Sequence, residues 1–524
     1  MPQAKSSRFR ANRAGGGVPL IVLQLGASSP LYEQIYLALK KYIVAGELRP
    51  GARLASTRSL ALELKVSRFT VVNALDRLLA EGYLAARRGA GTFVVETLPE
   101  QRMRPPRDAT IGRQRRRVGG TGAAILSRRG RAVSEMVITG PRGDHDQPRP
   151  FHPRRPPLDI FPLALWARLV RRQWSSHHVH HLDYGDPAGY RPLRERVAEH
   201  IAVTRGIHCT TDQVIVTSGA QQAFDLLFRL LLDPGDKAWI EEPGYLDVRA
   251  ALVAAGAELV PVPVDRDGIN VGEGIRRAKG ARLAIVSPSH QYPTGATLSA
   301  TRRAALLDWA YGANAWIIED DYDSYFRYRG RPMAALRTLD YEQASEPQVI
   351  YVSTFSKTMF PSLRLGFCVV PTSLIGPLAN ARAVADRNSP IADQAALAEF
   401  IGEGHYDRHL RRVRVVCQER YESMRFHFKR VLAGALTLSP SSAGTHLLGV
   451  LGNDLRTKLN SGSPVDAVCK AASEDDLVVF PLSRYCLQRP RANALVLGYG
   501  ALTPERIAFG VEQLARTIER VCTT

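Results

Sequence analysis

The chain has 524 residues, 45% of them apolar and 7% aromatic, enough to build two or three packed domains, which excludes a disordered protein. A formal net charge of +20 at pH 7, with a pI near 9.9, favours a polyanionic partner, nucleic acid first. The cysteines (Cys209, Cys368, Cys417, Cys469, Cys486 and Cys522) form no C-x-x-C pair, which argues against a disulfide framework or a zinc site and for a reducing cytoplasm.

The start is basic (Lys5, Arg8, Arg10, Arg13), and the apolar run from Val18 to Leu25 is too short to span a bilayer or form a signal core. Residues 1–27 therefore read as a tail leading into a strand. Leu31, Ile35, Leu39, Tyr42 and Ile43 recur at helical spacing, and Gly46 with Pro50-Gly51 stops that helix. A second short helix is expected from about Thr57. Ser67 suits the N-cap of a third, in which Val71, Leu75, Leu78 and Leu79 form the buried stripe and Gly82 marks the end. Two short strands around Arg87-Arg88-Gly89-Ala90-Gly91 complete a wing, so 28–97 reads as a winged helix-turn-helix.

In such a unit the start of the third helix faces base edges in the major groove, which makes Arg68, with Ser67, Thr70 and Asn73 beside it, the base-reading candidates. Ser56 and Arg58, at the start of the second helix, are placed to meet phosphate and set register. Arg87 and Arg88 of the wing add backbone or minor-groove contact. The alternative is a protein-docking winged helix with solvated arginines; the basic third helix favours DNA.

Residues 98–150 shift to Arg, Pro and Gly, with Arg113, Arg115, Arg116, Arg117, Arg128, Arg129 and Arg131, and read as a linker. It is either a solvated tether or one that also touches phosphate. From about Phe151, helical patterns alternate with short apolar runs at Val214-Ile215-Val216, Ala238-Trp239-Ile240, Leu283-Ala284-Ile285-Val286, Trp316-Ile317-Ile318 and Val349-Ile350-Tyr351-Val352. That alternation predicts a largely parallel sheet covered on both faces. Beyond about Ser389, long helical patterns and the runs Leu477-Val478-Val479 and Leu495-Val496-Leu497 suggest a smaller α+β part. Of 151–524, about 185–388 would be the large part and 389–524 the small one.

Lys357 follows the run Val349 to Val352 at the carboxyl edge, where open α/β sheets place their sites, and a lysine there can form a Schiff base with a carbonyl cofactor. Asp320 can pair with a protonated pyridine nitrogen, and Tyr322 can hydrogen-bond a phenolic ring oxygen. Ser218, Gly219 and Ala220 form a glycine turn at a helix N-terminus, suited to a phosphate, to which Arg364 adds a bidentate contact and Thr354 a hydroxyl. Tyr245 can stack on a ring. His177, His178, His180 and His181 lack acidic or cysteine partners and read as a polar helix end, so no metal is expected.

The segments Leu31-Tyr32-Glu33-Gln34-Ile35, Gly46-Glu47-Leu48-Arg49-Pro50-Gly51, Leu54-Ala55-Ser56-Thr57-Arg58, Val66-Ser67-Arg68 and Gly91-Thr92-Phe93-Val94 resemble the GntR family of bacterial winged-helix regulators. From Tyr184-Gly185-Asp186-Pro187-Ala188-Gly189 onward the chain resembles fold-type I aminotransferases. With Ser287-Pro288-Ser289-His290-Gln291-Tyr292-Pro293-Thr294-Gly295 it looks most like the MocR/GabR subfamily of GntR regulators. The resemblance implies pyridoxal 5′-phosphate on Lys357, with Asp320, Tyr322, Tyr245, Arg364 and the Ser218 to Ala220 turn as its pocket, and a homodimer.

Four departures stand out. Val72 lies where many relatives carry a second base-reading arginine, and Ala55 replaces a frequent proline. Tyr292 stands where aminotransferases commonly carry asparagine, and Val496 where they commonly carry the arginine that grips a substrate carboxylate. Arg491 or Arg484 is the nearby substitute. The expectation is a cytoplasmic, pyridoxal-phosphate-dependent transcription regulator that binds double-stranded operator DNA, has no membrane segment, and senses a small amine or amino acid by aldimine exchange. The alternative is an active aminotransferase with an accessory DNA-binding domain.

Overall fold

The computed structural model describes residues 21–24, 29–87, 89–99, 126–136, 149–328, 333–343, 347–441, 443–453, 463–488 and 493–523. It divides into two compact units, Met1–Ala123 and Ala124–Thr524. In the first, α1 (Leu31–Val44), α2 (Thr57–Leu64) and α3 (Arg68–Ala80) precede a hairpin of β1 (Leu84–Arg87) and β2 (Gly91–Val94), paired antiparallel from Leu84↔Val94 to Arg87↔Gly91. Ser56 and Ser67 cap α2 and α3, their hydroxyls accepting from the backbone N–H of Ser59 and Thr70. These satisfy amides that a helix start otherwise leaves unpaired. The apolar faces meet in one core containing Ile35, Leu39, Leu60, Val71, Leu75, Leu78 and Val94. Residues 21–24 form no strand, so the expected leading strand is absent over that stretch; the rest of the basic tail lies outside the described residues.

The second unit holds β3 (Val214–Thr217), β4 (Lys237–Glu242), β5 (Glu258–Asp265), β6 (Gly268–Ile269), β7 (Leu283–Val286), β8 (Trp316–Asp321), β9 (Val349–Thr354) and β10 (Gly366–Val369), in the order β3-β10-β9-β8-β7-β4-β5-β6. Strands β9, β8, β7, β4 and β5 pair in parallel, while β10 runs antiparallel between β9 and β3. Consecutive side chains enter different cores. Ile350 and Val352 join Ile318, Ile285 and Ile240 on one face, whereas Tyr351 packs with Val214 and Val216, and Val349 with Ile317 and Ala284, on the other. Burial on both faces is why these strands read as continuous apolar runs.

A second, antiparallel sheet has the order β11-β12-β14-β13, with β11 at Leu436–Leu438, β12 at His446–Leu451, β13 at Phe480–Pro481 and β14 at Ala494–Gly498. It packs with the helices His405–Val431, Pro464–Glu474 and Pro504–Thr523 around a core that includes Met424, Leu447, Val468, Leu497 and Leu514. Residues 477–479, expected as a strand, form none; the chain enters β13 only at Phe480.

The stretch 98–150 differs from the expected linker at two places. Arg128–Ser134 is a helix capped by Ser127, and it packs against the helix Leu246–Ala255. The end of the stretch is already tied to the small sheet: the Pro150 carbonyl accepts from Val478 N–H, and the next residue, Phe151, bridges to Gly498 and is fully buried. Helix 128–134 buries none of its own residues, so no apolar stripe marks it in the sequence.

Candidate functional site

Because β3, β4, β7, β8 and β9 point the same way, their carboxyl ends meet at one edge of the large sheet. A cavity of about 310 Å³ opens there. Ala220, Tyr245, Asp320, Tyr322, Thr354, Lys357 and Arg364 all line it, drawn from segments spread over more than a hundred residues. Ser218 and Gly219 reach it through Arg364, whose Nη2 donates to the Ser218 carbonyl at 2.6 Å. Gly219 has φ +90°, and a Cβ there would come within 3.0–3.2 Å of the Arg364 guanidinium. The bare glycine therefore leaves a cradle between that guanidinium and the first turn of the helix Ala220–Leu231.

Asp320, in β8, is 7% exposed, and its Oδ1 has no hydrogen-bond partner among the described residues. Burial, then the carboxylates of Asp321, Glu241 and Asp323, drive its carboxyl well above the ordinary range, opposed by Lys357. An unpaired acidic oxygen in such surroundings calls for a cationic partner. Tyr322 approaches His290 Nδ1 at 3.2 Å, and that nitrogen lies 2.7 Å from Asp323 Oδ2. Thr354 Oγ1 accepts from Ser356 N–H at 3.1 Å, which shapes the turn that carries Lys357.

Lys357 Nζ donates to the Arg154 carbonyl. Burial and the Arg154 guanidinium pull its pKa down to about 7, against the carboxylates of Asp323, Asp247 and Asp320. The neutral amine, the nucleophilic form, thus dominates above pH 7. In cofactor-free protein, labelling of Lys357 by a small amine-reactive ester should rise about tenfold per pH unit up to about pH 7 and then level off, while surface lysines keep rising toward pH 10. A Lys357 profile parallel to theirs removes the assignment. The linkage has a matching sign: the cost of burying this lysine is fully present below pH 7 and is relieved as pH rises toward its ordinary value of 10.5.

Sequence reasoning missed five lining residues, Arg154, Phe224, Asp247, Thr445 and His446. Arg154 falls just past the expected linker, and His446 begins β12, a strand with no alternating signal because nearly all of it is buried. Tyr292 also lines the cavity, its hydroxyl donating to Tyr485 at 3.0 Å and its ring 4.8 Å from that of His446. Val496 is fully buried in β14 beside Leu448, Leu482 and Tyr485 and does not line the cavity. Arg484 places its guanidinium over Phe480, 4.5 Å from the ring centre, and is not among the lining residues. Arg491 lies outside the described residues.

In the N-terminal unit, Arg58, Ser67, Arg68 and Arg87 are exposed, and Arg68 Nε donates to Thr57 Oγ1 at 3.3 Å, which braces it against α2. The hydroxyls of Ser67 and Thr70 bond each other at 2.8 Å. Asn73 is half-buried one turn further along α3. Arg87 stacks on Phe93, 4.9 Å from the ring centre. Arg88 lies outside the described residues. Among those described, no three His, Cys, Asp or Glu side chains are grouped to hold a metal ion, and no helix is long and apolar enough to cross a membrane.

Two family models match the chain: the gntR family of bacterial regulatory proteins over residues 31–94 and aminotransferase class I and II over residues 170–466. A probable rhizopine catabolism regulatory protein, MocR, of Rhizobium meliloti is 38% identical, over 94% of this chain and 95% of its own. The HTH-type transcriptional regulator TauR of Rhodobacter capsulatus is 30% identical over 94% and 97%. Among solved structures, the α-aminoadipate aminotransferase LysN of Thermus thermophilus, complexed with N-(5′-phosphopyridoxyl)-L-leucine, superposes with a TM-score of 0.63 at 27% identity, covering 70% of this chain and 91% of that one. A winged helix of one family and an aminotransferase fold of the other, with the MocR match running over 94% of the chain, establish that this chain belongs to the MocR subfamily of GntR-family transcriptional regulators.

Proposed function

We propose that this regulator holds pyridoxal 5′-phosphate on Lys357, reads a small primary amine through it, and translates the reading into operator binding as a cytoplasmic homodimer. The observation that carries the proposal is the joint presence, in one cavity, of a lysine with a lowered pKa, the unpartnered Asp320 oxygen and the glycine cradle under Arg364. When bound, the cofactor supplies an aldehyde that condenses reversibly with primary amines and a pyridine ring that withdraws electrons. Asp320 would hold the proton on the ring nitrogen, Tyr322 would donate to the ring oxygen, and Tyr245 would stack on the ring. Arg364 and Thr354, with the Ser218 to Ala220 turn, would hold the phosphate.

An incoming amine would take the place of Lys357, whose freed Nζ then donates to the Arg154 carbonyl. Arg154 follows directly on the segment that Phe151 pins to β14, so the bonding state of the lysine is felt in the stretch of chain that leads back toward the winged helix. A two-state arrangement biased in this way is what coupling two distant sites requires.

For DNA, α3 is the groove-reading helix. Arg68→Ala should relax base preference by about 1–3 kcal/mol at one operator position, whereas Arg58→Ala should weaken binding across sequences and lower the salt slope by about one. Binding assays on operator variants at several salt concentrations separate the two, and identical effects would mean the helix is docked wrongly. The second reading, an active aminotransferase, is favoured by the intact Lys357 and Asp320 pair; it requires steady keto-acid formation, which the sensing reading does not.

A further inference from the structure

Phe69, the second residue of α3, is 73% exposed. The buried stripe of that helix is Val71, Ala74, Leu75 and Leu78, and at about 3.6 residues per turn Phe69 falls on the opposite side. It belongs neither to the core of the unit nor to the residues packed against that core. A single exposed apolar side chain means little by itself, and here its position decides. Phe69 directly follows Arg68, whose Nε donates to Thr57 Oγ1 at 3.3 Å, and the half-buried Val72 continues the apolar strip one turn on. No acidic residue stands in the first turn of α3; Asp76, exposed on the same side as Phe69, comes two turns later.

The same unit exposes Arg58, Arg68 and Arg87, so the ring is offered to a polyanion. In the major groove of duplex DNA the base edges present hydrogen-bonding atoms and one apolar group, the 5-methyl of thymine. A phenyl ring neither donates nor accepts conventional hydrogen bonds, so that methyl is the feature it can tell apart. RNA carries uracil, which lacks the methyl, in a major groove too deep and narrow for side chains to read. A wedge driven between base steps, the other use of an exposed phenylalanine on DNA, belongs to minor-groove binders and does not fit the first turn of a major-groove helix.

We propose that Phe69 is a specificity-determining residue of this regulator: its ring, with Val72 beside it, packs against the 5-methyl group of an operator thymine next to the base that Arg68 contacts. The inference rests on the DNA reading of α3 above and extends it to a residue and a base that the reading leaves unassigned.

The test uses the full-length protein and the duplex it enriches most from a random-sequence pool, with each thymine replaced in turn by deoxyuridine, which removes the methyl and keeps the pairing. Burial of one methyl group corresponds to about a fourfold change in affinity, so wild type should lose about that much at the thymine it reads and little at the others. In Phe69→Ala the ratio of thymine to deoxyuridine affinity at that position should fall to about one, and Phe69→Leu, which keeps an apolar side chain, should retain part of it. In Arg68→Ala the ratio should persist while discrimination at the neighbouring base pair is lost. Because each ratio is internal to one protein, a general loss of affinity or partial misfolding does not imitate the result. No methyl-sensitive thymine in wild type, or a ratio that Phe69→Ala leaves unchanged while it weakens every duplex alike, overturns the assignment and leaves the DNA reading standing. If no duplex is enriched over random DNA, the DNA reading itself fails and the inference falls with it.

Discussion

Lys357→Ala should abolish the response to amines while leaving operator binding in place. Wild-type protein is expected to change its operator affinity about fivefold or more on saturation with an effective amine, the usual span of coupling between sites. The variant should change it less than twofold and show no shift of the cofactor band. The winged helix retains its affinity because its core, built from α1, α2, α3 and the hairpin, draws on residues of its own unit. Borohydride reduction supplies the parallel chemical readout: in wild type it should fix the cofactor to the peptide containing Lys357, and in the variant to none. A variant that still answers the amine normally would show that the lysine is not the sensor. The aminotransferase-like unit would then bind its ligand noncovalently or serve as a separate enzyme.

The second large effect is expected at Asp320. Removing one partner of a buried charge pair costs about 3–5 kcal/mol, so Asp320→Ala should weaken cofactor binding about a hundredfold or more, measured by equilibrium dialysis. The same substitution should act in the opposite direction on the cofactor-free protein. A carboxyl whose folded-state pKa is raised from 3.8 holds its proton longer when folded, so stability falls as pH rises from about 4 through the raised value. Alanine removes that slope and should make the empty protein more stable at neutral pH. Cofactor affinity down and empty-state stability up would identify a residue kept for its ligand; a loss of both would identify an ordinary structural carboxylate.

What the sequence by itself determined were the features carried by near neighbours in the chain. The helices of the winged unit were legible because Ile35, Leu39 and Ile43 recur at a spacing that one helix face repeats, and because Ser56 and Ser67 cap within three residues. The central strands were legible because burial on both faces demands unbroken apolar runs. Lys357 and Asp320 were found because each sits just beyond or at the end of such a run, where parallel order gathers the edge, and Arg364 because it follows Lys357 by seven residues. Tertiary structure decided the rest. Strand β5 carries Pro261 and Pro263, which argue against a strand until β4 is seen to pair along one side while β6 covers the other only at Val264 and Asp265. Strand β10 is four residues long and fully buried, and it exists as a strand only because β3 and β9 lie on either side. Arg154, Asp247 and His446 stand about 90 and 200 residues apart in the chain, with no local pattern to link them. Their meeting in one cavity depends on a segment near residue 150 joining a sheet whose other strands come after residue 435. Spacing along the chain records what a residue's own helix or strand requires of it; which distant side chains share a cavity is set by strand order, which no local spacing encodes.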